Sequence, residues 1–185
     1  MTVTGLFKQI GITANIGKVR WGTTFNCSLP GIYIVSTSGD RNAELSGEPR
    51  FDEQAIQLWI DRLPDFTLDD KKPTVETLVQ RLRSFWLPEE NVLYIGQTGS
   101  ALKKRVNAYY KTELGARKPH SGGQWLKTLR NINELFVYYA PTDQPEENEA
   151  ALLTYFCKLA GELPFANLEG AGRKPHGLKN QRDSR

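Results

Sequence analysis

The chain has 185 residues, 39% of them hydrophobic and 24% charged, with a formal net charge of +3. That length supports one well-formed core with an embellishment, and the composition is ordinary for a globular domain. Excluded are a membrane-spanning segment (no apolar run nears the roughly 20 residues required), a secretory signal and a zinc site built from the two cysteines and two histidines.

In chain order, residues 1–30 contain one strand-like run, Lys18-Val19-Arg20-Trp21, and then a turn-rich approach ending at Pro30. GIYIVS, 31–36, is an apolar, β-branched strand. The Ser, Gly, Asp and Asn of 37–47 mark a loop. Two amphipathic helices follow. Ile56, Trp59, Ile60 and Leu63 recur at helical spacing up to Pro64. Val75, Leu78, Val79, Leu82, Phe85 and Trp86 do so between Pro73 and Pro88. The chain returns to strand at 92–95, and Thr98, Gly99 and Ser100 supply a turn and an N-cap for a helix over 101–111. A basic loop, 115–123, contains His120 and precedes a short helix around Trp125, Leu126 and Leu129. Residues 135–139 form a third, largely buried strand. Pro145, with Glu146 and Glu147 in the first turn, opens a helix to about Ala160. The last 15 residues or so form a basic tail, 170–185, expected to order on binding. The chain thus reads as a single domain with a helical insertion over 40–90. Cys27 and Cys157 are expected as reduced thiols, Cys157 in the core, in a cytoplasmic protein.

Charge is unevenly spread. Residues 101–130 hold eight Lys and Arg against Glu113 alone, and 164–185 hold five against two acids. Residues 40–92 carry seven basic and twelve acidic side chains. A basic stretch of this kind suits a polyanion, since neutralising phosphates releases counterions. A solvated charged face is the plainer alternative.

Several side chains stand out individually. Glu149 precedes Leu152, Leu153, Phe156 and Ala160 by 3, 4, 7 and 11 residues, so it shares their helix face. A charge directed at a core calls for a cation or an arginine; a half-exposed glutamate stabilised by the helix dipole fits the spacing as well. Arg105 and Tyr109 are neighbours at i, i+4, with Leu102, Val106 and Tyr110 left to hold the helix against the sheet. An arginine so fixed suits phosphate oxygens, although an exposed arginine on a basic helix has the same spacing. Tyr33 and Tyr94 lie one per strand, where tyrosines are commonly packing residues. Gly31 and Gly96 leave room for close approach.

Gly31-Ile32-Tyr33, Tyr94-Ile95-Gly96, the helix LKKRVNAYY, Glu149 and Pro164-Phe165-Ala166-Asn167 come in the order found in the GIY-YIG nuclease family, which the chain resembles from Gly31 to Asn167. The resemblance implies an α+β fold, a three-stranded antiparallel sheet flanked by helices. It implies Mg²⁺-dependent hydrolysis of DNA phosphodiester bonds without a covalent intermediate, Mn²⁺ being able to substitute. Tyr94 would take the proton from the attacking water, and Tyr33 would be its hydrogen-bonded neighbour. Arg105 would bind the scissile phosphate, with Tyr109 contacting nucleophile or phosphate. Glu149 would be the sole protein ligand of the metal, and Asn167 a scaffold residue bonding backbone near the site.

The chain departs from the family pattern in three places. About 60 residues separate the two tripeptides, the helices of 51–86 being inserted between them. The spacing from Tyr94 to Arg105 is one residue longer than the pattern, to be absorbed at residues 98–100. Gln97 stands where repair members often have lysine. The remaining DNA contacts expected are Lys103, Lys104, Arg117, Lys118 and His120, together with Arg173, Lys174 and His176 of the tail. The architecture resembles restriction-type members, which cut duplex DNA and often act as oligomers. A structure-specific repair or homing-type nuclease, or a DNA-binding module without catalysis, are the alternatives.

Overall fold

The computed structural model describes residues 1–44, 47–116 and 122–167, and the backbone of 178–180. It is an α+β structure in which helices cover both faces of one antiparallel sheet. The sheet has four strands rather than the three expected: β1 (Gly17–Arg20), β2 (Gly31–Ser36), β4 (Val92–Thr98) and β5 (Phe136–Pro141), in the order β1-β5-β2-β4. The additional strand is the 18–21 run, which pairs along β5 from Gly17↔Tyr139 to Arg20↔Phe136 and packs Val19 against the core. A second, two-stranded sheet joins β3 (Phe66–Leu68) to β6 (Leu178–Asn180), so part of the basic tail is a strand.

Every residue of β2 is buried, because it is central and covered on both sides. On one face Tyr33, Val35, Leu93, Tyr94 and Val137 pack against α2 (Glu53–Arg62), α3 (Val75–Ser84) and α4 (Leu102–Lys111). On the other, Ile32, Ile34, Val92, Ile95 and Tyr138 meet α1 (Val3–Gln9) and α5 (Pro145–Ala160) through Leu6, Phe7, Leu152 and Phe156. The register passes from Val35↔Tyr94 to Ser36↔Val92, leaving Leu93 as a bulge. That extra residue is why Leu93 and Tyr94, adjacent in sequence, both join the first core.

α2 and α3 bury the apolar stripes their spacing predicts: Ile56, Trp59 and Ile60 on α2, Leu78 and Leu82 on α3. Asp52 caps α2, and Thr74 caps α3 in a reciprocal box with Thr77. α3 stops at Ser84, so Phe85 and Trp86 lie beyond it, and the Trp86 indole N–H donates to Gly47 O at 2.7 Å. The N-cap expected from residues 98–100 is not a side chain. Ala101 occupies that position, and the free N–H groups of Leu102 and Lys103 donate to Leu29 O (2.9 Å) and Cys27 O (3.0 Å). A preceding loop therefore does the work of a capping hydroxyl. Cys157 is partly buried against the second core rather than enclosed in it. No helix among the described residues is long and apolar enough to cross a membrane.

Candidate active site

β4 is an edge strand whose outward backbone groups are nevertheless buried, so each needs a partner. Ala166 N–H donates to Leu93 O at 2.8 Å. The Asn167 amide then makes two bonds to Ile95, accepting from its N–H at 2.9 Å and donating to its C=O at 2.7 Å. Two residues further along, the Gln97 N–H bonds the carboxylate of Glu149. The tail of the domain and the first turns of α5 thus complete the edge of the strand that carries Tyr94. Asn167, 5% exposed, is fixed to backbone one residue from Tyr94.

Tyr33 pairs with Gly96 and Val35 with Tyr94, so the two tyrosines are diagonal neighbours on one sheet face. Their rings lie 5.8 Å apart, and the Tyr33 phenol hydrogen-bonds that of Tyr94. Gly96 makes this arrangement possible. A Cβ there would stand 2.6 Å from Tyr94 Cε1 and 2.7 Å from the Tyr33 hydroxyl. At Gly31 a Cβ would sit 2.3 Å from Ala140 O, so the strands of the sheet could not close.

α4 supplies Arg105 and Tyr109. The buried side of the helix is Leu102, Val106 and Tyr109; Tyr110, expected to help hold the helix against the sheet, is only partly covered. Trp21 packs edge-on against both, its ring 4.9 Å from Tyr109 and 5.0 Å from Tyr110. Tyr109 completes a triangle of rings, 5.5 Å from Tyr94 and 6.5 Å from Tyr33. Its hydroxyl donates to Gly123 O, at the end of the 115–123 loop. Half-buried Arg105 hydrogen-bonds Tyr33. Its Nε is buried without a hydrogen-bond partner among the described residues.

Glu149 enters from α5 and is half-buried. Burial pushes its carboxyl above the usual range, opposed by Arg105, reinforced by Glu146 and lowered again by the Gln97 N–H. Burial also raises Tyr94, to about 12; the Tyr33 hydrogen bond and Arg105 pull it down while Glu149 pushes it up. Tyr33 and Tyr109 are raised well above the ordinary phenol value, first by burial and then by their tyrosine neighbours. Arg105, from α4, thus bears on the ionisation of Tyr33, Tyr94 and Glu149, which come from three further elements.

The described residues contain no group of three or more His, Cys, Asp or Glu that could hold a metal. Mg²⁺ does not require one, because it keeps several waters and takes one or two protein carboxylates. A hard cation would meet the desolvated carboxylate of Glu149 with the Tyr94 phenol nearby, oxygen chemistry that fits Mg²⁺ or Mn²⁺, while the Arg105 guanidinium suits an anion.

Of the other expected DNA contacts, Lys104 is exposed, and Lys103 is half-buried with Nζ on Asn26 Oδ1 at 3.1 Å. Arg117, Lys118, His120, Arg173, Lys174 and His176 lie outside the described residues. In the sequence Lys127 stands out only as one of a basic run. Its Nζ donates to Tyr110 O at 3.1 Å, above Trp21 and Tyr109, satisfying a carbonyl in the last turn of α4. Burial lowers that ammonium to about 8. No family model, curated protein or solved structure matches the chain.

Proposed function

We propose that this protein is a divalent-metal-dependent endonuclease that hydrolyses phosphodiester bonds of duplex DNA, built on a GIY-YIG-type fold. The supporting observation is the convergence of Tyr33, Tyr94, Arg105 and Glu149 from β2, β4, α4 and α5 around a guanidinium whose Nε has no partner among the described residues. An unmet, desolvated donor on arginine suits an anionic oxygen. The eight cationic side chains of 101–130 suit the polyanion around it.

In this reading Arg105 binds a non-bridging oxygen of the scissile phosphate and stabilises the charge that builds there as water attacks. Tyr94 takes the proton from that water. Its phenol, raised to about 12, must be made more acidic to act near neutrality. Tyr33 donates a hydrogen bond to Tyr94 and so favours the phenolate, while Arg105 adds positive charge. Glu149 would hold the Mg²⁺, which supplies Lewis-acid stabilisation of the phosphate and further positive charge beside the phenol. Tyr109 is committed to Gly123 O and holds the end of the 115–123 loop against the tyrosines. One P–O bond breaks, and its oxygen leaves to be protonated from solvent, with no intermediate on the protein. The cleavage is sequence-specific in the manner of restriction-type enzymes, with the inserted helices and basic segments available to read the site.

The test compares DNA binding with cleavage in Glu149→Ala. Retained binding with lost cleavage supports the enzyme. Equal behaviour of variant and parent on both measures overturns it.

A further inference from the structure

Gln97 is the residue after the Tyr94-Ile95-Gly96 tripeptide, and its side-chain oxygen presents a problem that packing does not solve. Oε1 is buried and accepts no hydrogen bond among the described residues. An amide oxygen removed from water without a partner costs free energy, and a lone pair of this kind is uncommon in a core. Its location is informative. Gln97 pairs with Ile32 in the β2–β4 register, so its side chain shares the sheet face of Ile32, the face covered by α5. Glu149 lies in the second turn of α5, and its carboxylate is held by the backbone N–H of this same Gln97. One residue therefore anchors the carboxylate with its main chain and brings an unmet oxygen to the same side of the strand.

We infer that Gln97 Oε1 is a second protein oxygen for the divalent cation of which Glu149 is the first. The inference rests on the nuclease reading for the cation's presence and goes beyond it in assigning a two-oxygen site. A neutral amide oxygen is an ordinary ligand for a hard cation. It also explains why an orphan acceptor is retained here: its partner is the ion. The pairing of one anionic and one neutral oxygen leaves net positive charge on the bound cation for the phosphate and for Tyr94.

The experiment measures Mn²⁺ binding to the full chain without DNA, by water-proton relaxation, so no turnover is needed. Parent protein is compared with Gln97→Met, Gln97→Glu and Glu149→Gln, each checked for fold by circular dichroism. The expected result is that Gln97→Met weakens Mn²⁺ affinity about tenfold or more, that Gln97→Glu tightens it, and that Glu149→Gln abolishes it. The loss in Gln97→Met is the decisive arm, since a gain in Gln97→Glu, which any carboxylate near the ion would give, shows only that position 97 reaches the cation. Unchanged affinity in both Gln97 variants, with loss in Glu149→Gln, overturns the two-oxygen site while leaving the nuclease reading intact. Absence of Mn²⁺ binding in the parent, or binding indifferent to Glu149→Gln, overturns both.

Discussion

Asn167→Ala isolates the device that holds Tyr94 in place. The Asn167 side chain is 5% exposed, accepts from Ile95 N–H at 2.9 Å and donates to Ile95 O at 2.7 Å. Truncation leaves both backbone groups buried on an edge strand with nothing to replace the amide. At about 1–3 kcal/mol for each orphaned group, the expected loss is about 2–6 kcal/mol, reduced where water enters the vacated space. The neighbouring bond from Ala166 N–H to Leu93 O, 2.8 Å, is untouched, so the strand should loosen locally rather than detach. The assay is urea unfolding followed by fluorescence of the four tryptophans, with the denaturant slope held common to parent and variant. A change below about 0.5 kcal/mol, the range of ordinary surface substitutions, would refute the argument that Asn167 completes the β4 edge.

Gly96→Ala places a methyl 2.6 Å from Tyr94 Cε1 and 2.7 Å from the Tyr33 hydroxyl, so one ring must move. Cleavage should fall by at least 100-fold, in keeping with the cost of misplacing a reacting group by about 1 Å, while DNA affinity stays near that of the parent. Arg105→Lys keeps the charge but loses the planar fork and the Nε donor, and should lose most cleavage while binding DNA with similar salt dependence. Glu149→Gln should stabilise the metal-free protein at pH 7.5 and not at pH 4, measured as Tm. The folded carboxyl is raised above its unfolded value, so stability is fully present below the ordinary carboxylate pKa and falls as pH rises through the folded one. The glutamine variant escapes that fall. A lower Tm for the variant at pH 7.5 would contradict the sign.

Much of this structure follows from local pattern. β2, β4 and β5 are apolar, β-branched or aromatic runs bounded by turn residues, and α2, α3 and α5 have clear helical stripes with Pro or Thr at their ends. α1 is a seven-residue helix whose only periodic signal is Val3, Leu6 and Phe7, too short to distinguish from a loop without knowing that α5 lies beside it. β3 and β6 are three residues each and exist only as partners of one another, more than 100 residues apart in sequence. Ser100 has the sequence position of a cap, its hydroxyl just before a helix, but the carbonyls of Cys27 and Leu29 arrive from elsewhere in the chain to do that work. Tyr109 and Tyr110 lie side by side, and only the tertiary contact of Tyr109 with the rings of Tyr33 and Tyr94 distinguishes them. The candidate site itself was readable as a set of residue types in order. The bulge at Leu93, the Gln97 N–H on Glu149 and the orphan atoms of Gln97 and Arg105 are tertiary facts that no spacing expresses.

The most direct measurement of the central proposal is incubation of supercoiled plasmid with purified protein in Mg²⁺ or in EDTA, alongside Tyr94→Phe. Discrete fragments should appear only with Mg²⁺ and disappear with the missing phenol. Cleavage that persists in EDTA, or that Tyr94→Phe supports at the parent's rate, would contradict that proposal.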